Sequence, residues 1–136
     1  MPNGKQAHFD FERLAVFGVA VEAVVAIDEL TSSLTGGRAY VRDQLRRAAN
    51  SIPLNIAEGA GEFLPAEKAR FYRMARRSAT ECAGQLIVGT RLGIWPAPQV
   101  EAALAILRRV IVMLVRLVRS CTERRVSRGA EVDSGK

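Results

Sequence analysis

The chain is poor in the residues on which zinc sites and histidine-based proton transfer depend. It has one histidine, His8, and two cysteines, Cys82 and Cys121, in 136 residues. Zinc sites draw on Cys, His and carboxylate ligands, and the commonest general base is a histidine, so zinc and His-based chemistry are nearly excluded. The two cysteines follow no metal-ligand spacing, and both fall on apolar helical stripes, which predicts buried thiols rather than a disulfide. Aromatic residues are also scarce, at 6% of the chain against 49% for hydrophobic residues as a whole. A core drawn from Ala, Val, Leu and Ile with few rings favours helix over sheet. No stretch supplies the ~20 uninterrupted apolar residues that a bilayer span needs. Glu22 interrupts the apolar run over residues 14–25, and Arg108, Arg109 and Arg116 break up the most apolar segment. Residues 1–9 are polar and do not read as a secretory leader. The expectation is a soluble, cytoplasmic, single-domain protein.

What the chain does have is helical periodicity. In residues 9–34, Val16, Ala20, Ala23, Ile27, Leu30 and Leu34 recur at spacings of four and three, with Leu14, Phe17, Val21 and Val24 as a second stripe. Gly36-Gly37 then turns the chain. A second helix is predicted over residues 38–60, a third over residues 65–93 and a fourth from Pro98 onward. Pro65 suits a first helical position. Tyr72, Ala75, Ala79, Cys82 and Leu86 form the core stripe of the third helix, opposite Arg70, Arg73 and Arg77. The connector Gly93-Ile94-Trp95-Pro96-Ala97-Pro98 cannot be helical throughout, and Trp95 is expected to pack across the bundle end. In the fourth helix, Val100, Leu104, Leu107, Ile111, Leu114, Val118 and Cys121 form the expected seam, and Ile106, Val110, Met113 and Leu117 a second stripe. Together they cover more than half the circumference, more than a monomeric bundle buries. One of the two stripes is therefore expected at a subunit interface, and the Ile106–Leu117 stripe, shorter and interleaved with arginines, is the candidate. This reading gives an all-α, antiparallel up-down four-helix bundle over residues 9–124, with a flexible N-terminus (1–8) and a disordered polar tail (125–136).

The second helix carries an internal proline. Val41, Leu45, Ala48, Ile52 and Ile56 mark its apolar face, and Pro53 sits within that face. An interior proline loses an amide hydrogen bond and crowds the carbonyl one turn back, at a cost of about 3 kcal/mol. A kink is expected there, with Ser51 or Asn55 satisfying freed backbone groups. Gly59 and Gly61 are expected to mark the helix end.

The segment Gln44-Leu45-Arg46-Arg47-Ala48-Ala49, Ser51-Ile52-Pro53, Asn55-Ile56-Ala57-Glu58-Gly59-Ala60-Gly61 resembles the hallmark of a bacterial family. These are four-helix-bundle proteins named for their coding position in intervening sequences of large-subunit ribosomal RNA genes. Weaker resemblance runs through Phe71, Ser78, Glu81, Gln85-Leu86 and Leu92-Gly93, covering most of residues 9–120. Leu54 stands where the family commonly has a small residue, and Glu62 where it commonly has a basic one. The resemblance implies a helical bundle assembled as a homopentameric ring. It marks Pro53, Asn55, Glu58, Gly59 and Gly61 as motif residues and implies no known enzymatic activity.

The net charge of +6 is unevenly spread. Residues 9–34 hold five acids against Arg13, whereas residues 65–92 hold six bases against Glu67 and Glu81. An acidic helix among basic ones suits subunit docking, with the surplus left for an anionic partner; a plain solvated surface is an equally good reading. Gly59-Ala60-Gly61 lacks the strand and the Gly-Lys-Ser/Thr of a phosphate loop. Glu58 and Glu62 have no histidine beside them, and Glu58 reads as an ion-pair partner for an arginine of the second or third helix. Ser51 has no base to activate it. No catalytic, cofactor-binding or metal-binding residue is therefore assigned, and no small-molecule substrate is inferred. Arg38, Arg42, Arg46, Arg47, Arg70, Arg73 and Arg77 are the candidate functional surface, because guanidinium forks bind phosphate oxygens. Two function classes remain: a non-enzymatic homo-oligomeric assembly module with itself as partner, or an accessory protein that binds RNA or DNA non-specifically, similar to retroelement accessory proteins.

Overall fold

A computed structural model describes residues 8–134, and the side chains of residues 8–123. Residues 1–7 and 135–136 lie outside it, and with them most of the expected flexible N-terminus. The described residues form four long α-helices and contain no strand. They are α1 (Ala15–Thr31), α2 (Ala39–Ala60), α3 (Pro65–Arg91) and α4 (Ala97–Ser134). Each helix packs on its neighbours in sequence, and α1 also packs on α4.

The first helix starts later than its periodicity suggests. Asp10–Arg13 form a 3-10 turn, and Leu14 is extended before α1 begins. The cause is local: Glu12 accepts a hydrogen bond from the Phe9 amide (2.8 Å), and Phe11 stacks between Phe9 and Phe17 with centroids 5.4 and 4.7 Å away. These contacts fold the segment back onto the first turn of α1. At its other end α1 stops at Thr31, and Gly36 takes a left-handed φ of +58°, which an L-residue with a Cβ adopts only at a cost.

α3 begins with Pro65, as expected, and ends in a Schellman motif. Gly93 takes φ +78°, the Ile94 amide donates to the Gly89 carbonyl (2.9 Å), and the Gly93 amide donates to Thr90 (3.1 Å). This turn drives Trp95 into the bundle end, where it is buried and its indole N–H donates to the Leu30 carbonyl (3.0 Å).

The core takes Val16, Ala20, Ala23 and Ile27 from α1, and Leu45, Ile52 and Ile56 from α2. Tyr72, Ala75, Ala79, Cys82 and Leu86 come from α3, and Val100, Leu107, Val110 and Leu114 from α4. α2 is helical on both sides of Pro53, which is itself buried. α4 differs from expectation. Its buried seam includes Ala103 and Val110, whereas Leu104, Ile111 and Val118 are only half-buried. Val110, expected at a subunit interface, is fully buried in the chain's own core, and Ile106, Met113 and Leu117 pack partly buried against that core. The reason is that α4 meets both α1 and α3, so its buried arc lies between the two stripes rather than on one. α4 also continues to Ser134, through most of the segment read as a disordered tail. That segment contains Arg, Glu and Ala, all good helix formers. Its side chains from residue 124 on lie outside the described residues.

Candidate functional site

The seven candidate arginines divide into two groups according to what their side chains touch. Arg46 reaches the end of α1. Its Nε donates to the Thr31 hydroxyl (3.0 Å) and pairs with Asp28 (3.3 Å), and its Nη2 donates to the Asp28 carbonyl (3.3 Å). The Thr31 hydroxyl, fully buried, donates in turn to the Ile27 carbonyl (2.7 Å). Arg42 donates through Nη1 to the Leu34 carbonyl (3.1 Å) and through Nε to Asp43 (3.0 Å). The last turn of a helix presents unpaired carbonyls and partial negative charge, and α1 has no basic residue of its own there. Arg46 supplies that charge from α2 and clips the two helices together, while Arg42 holds the loop after α1 through Leu34, so both guanidiniums have partners within the chain. Arg70 pairs with Glu67 (3.2 Å) and lies over the Phe71 ring at 4.4 Å.

Arg38, Arg47, Arg73 and Arg77 are exposed and form no ion pair among the described residues. Arg73 and Arg77 stand one turn apart on α3, opposite its buried stripe. Arg76, outside the candidate set, is also exposed beside them. The sequence signal for it is its place in the Arg73–Arg77 turn.

The motif residues have packing roles. The Ser51 hydroxyl donates to the Ala48 carbonyl (2.8 Å) and meets the Ser78 hydroxyl, joining α2 to α3. The Asn55 amide donates to the Ser51 carbonyl (2.8 Å). α2 ends at Ala60, between Gly59 and Gly61 as expected, and Gly59 has a packing role as well. It is buried, and a Cβ there would lie 2.6 Å from the Tyr72 ring. Gly61 is the residue that follows the end of α2. Lys68 completes this end by donating to the carbonyls of Ala60 (3.0 Å) and Gly59 (3.3 Å). Glu58 is exposed and makes no ion pair among the described residues, contrary to expectation.

A family model described as 23S rRNA-intervening sequence protein matches residues 12–116. The chain belongs to this family. The matched span holds the whole segment from Gln44 to Gly61, together with α1, α3 and the first half of α4. No individually curated protein matches the chain. For this family member, the structure gives the motif a physical content: a proline buried in α2, a serine pair between helices, and a glycine against a tyrosine ring.

Besides Cys121, the other buried free cysteine is Cys82. Burial, with the Glu81 carboxylate adding to it, pushes its thiol up to about 12. Both causes disfavour the thiolate, so the group is neutral at pH 8, and the thiolate is the nucleophile. A thiol reagent at pH 8 should therefore leave Cys82 unmodified in the folded protein and modify it rapidly in denaturant. Fast labelling of Cys82 in the native state, read by peptide mass, would contradict the buried assignment.

No helix among the described residues is long and apolar enough to cross a membrane.

Proposed function

We propose that the protein is a non-enzymatic cytoplasmic assembly module. In this reading it is an up-and-down antiparallel bundle, bent at Pro53, that joins copies of itself into a homopentameric ring. The observation that carries the proposal is the distribution of exposed apolar side chains. Val21 and Val25 on α1, Tyr40 and Leu54 on α2, Ile87 and Val88 on α3, and Val112 on α4 all face solvent in the single chain. Scattered single apolar residues are ordinary, but exposed pairs one turn apart, Val21 with Val25 on α1 and Val88 with Leu92 at the end of α3, are the mark of surfaces that another chain covers. A ring fits because its heterologous contacts use two different surfaces of each subunit. The side-chain chemistry also suits a non-enzymatic role: the Cys82 thiol is held neutral, and the Lys68 amine is engaged by two carbonyls. Assembly couples stability to concentration. The melting temperature should therefore rise when the protein is concentrated a hundredfold, and a concentration-independent melt would contradict the proposal.

The second reading is a nucleic-acid accessory role, favoured by Arg73 and Arg77, which are exposed and form no ion pair among the described residues. Such binding would be steeply salt-dependent and indifferent to base sequence. Arg73→Glu with Arg77→Glu should then weaken RNA or DNA binding and lower the salt slope by about 1 for each phosphate no longer neutralised. Unchanged binding by the double variant, measured by filter retention across a salt series, would remove this surface from consideration.

A further inference from the structure

Two features at opposite ends of α3 are complementary. The loop from α2 into α3 presents Phe63, 93% exposed, and Leu64, 61% exposed. Phenylalanine is among the residue types most often fully buried, and this one has no cover in the single chain. At the start of α2 and the end of α3, an apolar groove of about 410 Å³ is lined by Tyr40, Val41, Gly84, Val88, Leu92 and Ile94 among others. Tyr40, Val88 and Leu92 are each about half exposed there, and a Cβ on Gly84 would meet open space.

Charge follows the same division. Beside Phe63 stand Glu62 and, one turn earlier, Glu58; with exposed Leu54 they line one surface depression. Neither acid has an ion-pair partner among the described residues. The groove is flanked in sequence by Arg38, two residues before Tyr40, and by Arg91, next to Leu92. Both arginines are exposed and likewise form no ion pair among the described residues. Glu81 also lines the groove, but its carboxylate accepts a hydrogen bond from Gln85 (2.9 Å). An apolar projection beside two acids, and an apolar groove with two arginines next to its lining residues in sequence, suit the two halves of a heterologous contact.

We infer that Phe63 and Leu64 of one copy seat in the Tyr40–Val88–Leu92 groove of a second copy, with Glu58 and Glu62 facing Arg38 and Arg91. The inference rests on the assembly reading and names the surfaces that carry it. It also gives Glu58, a motif residue without an ion-pair partner among the described residues, a role between chains. A small-molecule pocket would place several convergent polar groups in the groove. Here the polar side chains of the lining are Gln44, Glu81, Gln85 and the Tyr40 phenol, and Glu81 and Gln85 bond each other.

The test uses two full-length variants, Phe63→Asp, which spoils the projection, and Val88→Asp, which spoils the groove. Both sites are exposed, so helix content by circular dichroism should match wild type; Phe63→Ser replaces Phe63→Asp if helicity falls. By light scattering each variant alone should have the mass of a single chain, because the same damaged surface recurs at every junction of a ring of identical copies. An equimolar mixture should give a dimer and stop there, since it retains one intact projection and one intact groove per pair. A variant that keeps the wild-type oligomeric mass overturns the inference while leaving assembly itself standing. So does a mixture that stays single-chain. A wild-type protein that is itself a single chain overturns both.

Discussion

Trp95→Ala should destabilise the fold by about 3–5 kcal/mol, the range for truncating a large buried aromatic. The indole is 3% exposed and closes the bundle end between the Leu30 carbonyl and Gly89. Its removal leaves a cavity and a carbonyl without its donor. A second substitution shows whether the packing is as described. A Cβ on Gly89 would lie 2.8 Å from Trp95 Cε3 and closer still to Cζ3. In the wild-type background Gly89→Ala should therefore cost about 1–3 kcal/mol through overpacking. In the Trp95→Ala background the obstacle is gone, and the same change should be neutral or stabilise by up to about 1 kcal/mol, the helix propensity difference. Denaturant midpoints of the four proteins form a double-mutant cycle. Additive costs would mean that Gly89 and Trp95 do not touch.

Val110→Glu should abolish the fold, whereas Val112→Glu should keep it. The two positions lie on one helix, two residues apart, but Val110 is fully buried and Val112 is 49% exposed. Burying a carboxylate without a partner costs several kcal/mol even after relaxation, a large part of a total stability of about 5–15 kcal/mol. At Val112 the charge stays in water. Circular dichroism decides between them: a helical, cooperatively melting Val110→Glu protein would place Val110 outside the core. This pair also tests the seam of α4, since the sequence stripe puts Val110 on a surface between subunits.

The contrast between α3 and α4 shows what periodicity can and cannot specify. On α3, one narrow apolar stripe (Tyr72, Ala75, Ala79, Cys82, Leu86) stands between arginines, and all five residues are buried. On α4, apolar residues occupy more than half the circumference, so spacing alone leaves the buried arc free to rotate. Only the neighbours α1 and α3 fix it, and they are not encoded in the α4 pattern. The turns are legible for a similar local reason. Gly36 and Gly93 follow the apolar repeats and take positive φ, and Pro65 opens α3. Gly59 is half legible: the helix end beside it follows from the sequence, but its approach to a tyrosine ring does not, because that depends on Tyr72 on another helix. Arg42 and Arg46 mislead. A long cationic side chain can point to solvent or to the end of a neighbouring helix, and here Asp28 and Thr31 at the end of α1 hold Arg46 while the Leu34 carbonyl in the loop after it holds Arg42.

The candidate surface itself is half visible in the sequence. Arg73 and Arg77 lie opposite a clear core stripe, so their exposure follows from spacing. The projection at Phe63 and the groove at Val88 are not visible there, because Phe63 sits in a loop with no period, and the groove forms where two helices meet.

If this chain is built to join copies of itself, the mass of the full-length protein shows it most directly. The protein is freed of nucleic acid by nuclease and measured by multi-angle light scattering. The account predicts a single species of roughly five times the 14.8 kDa of one chain. A species at the mass of one chain across the accessible concentration range would contradict it.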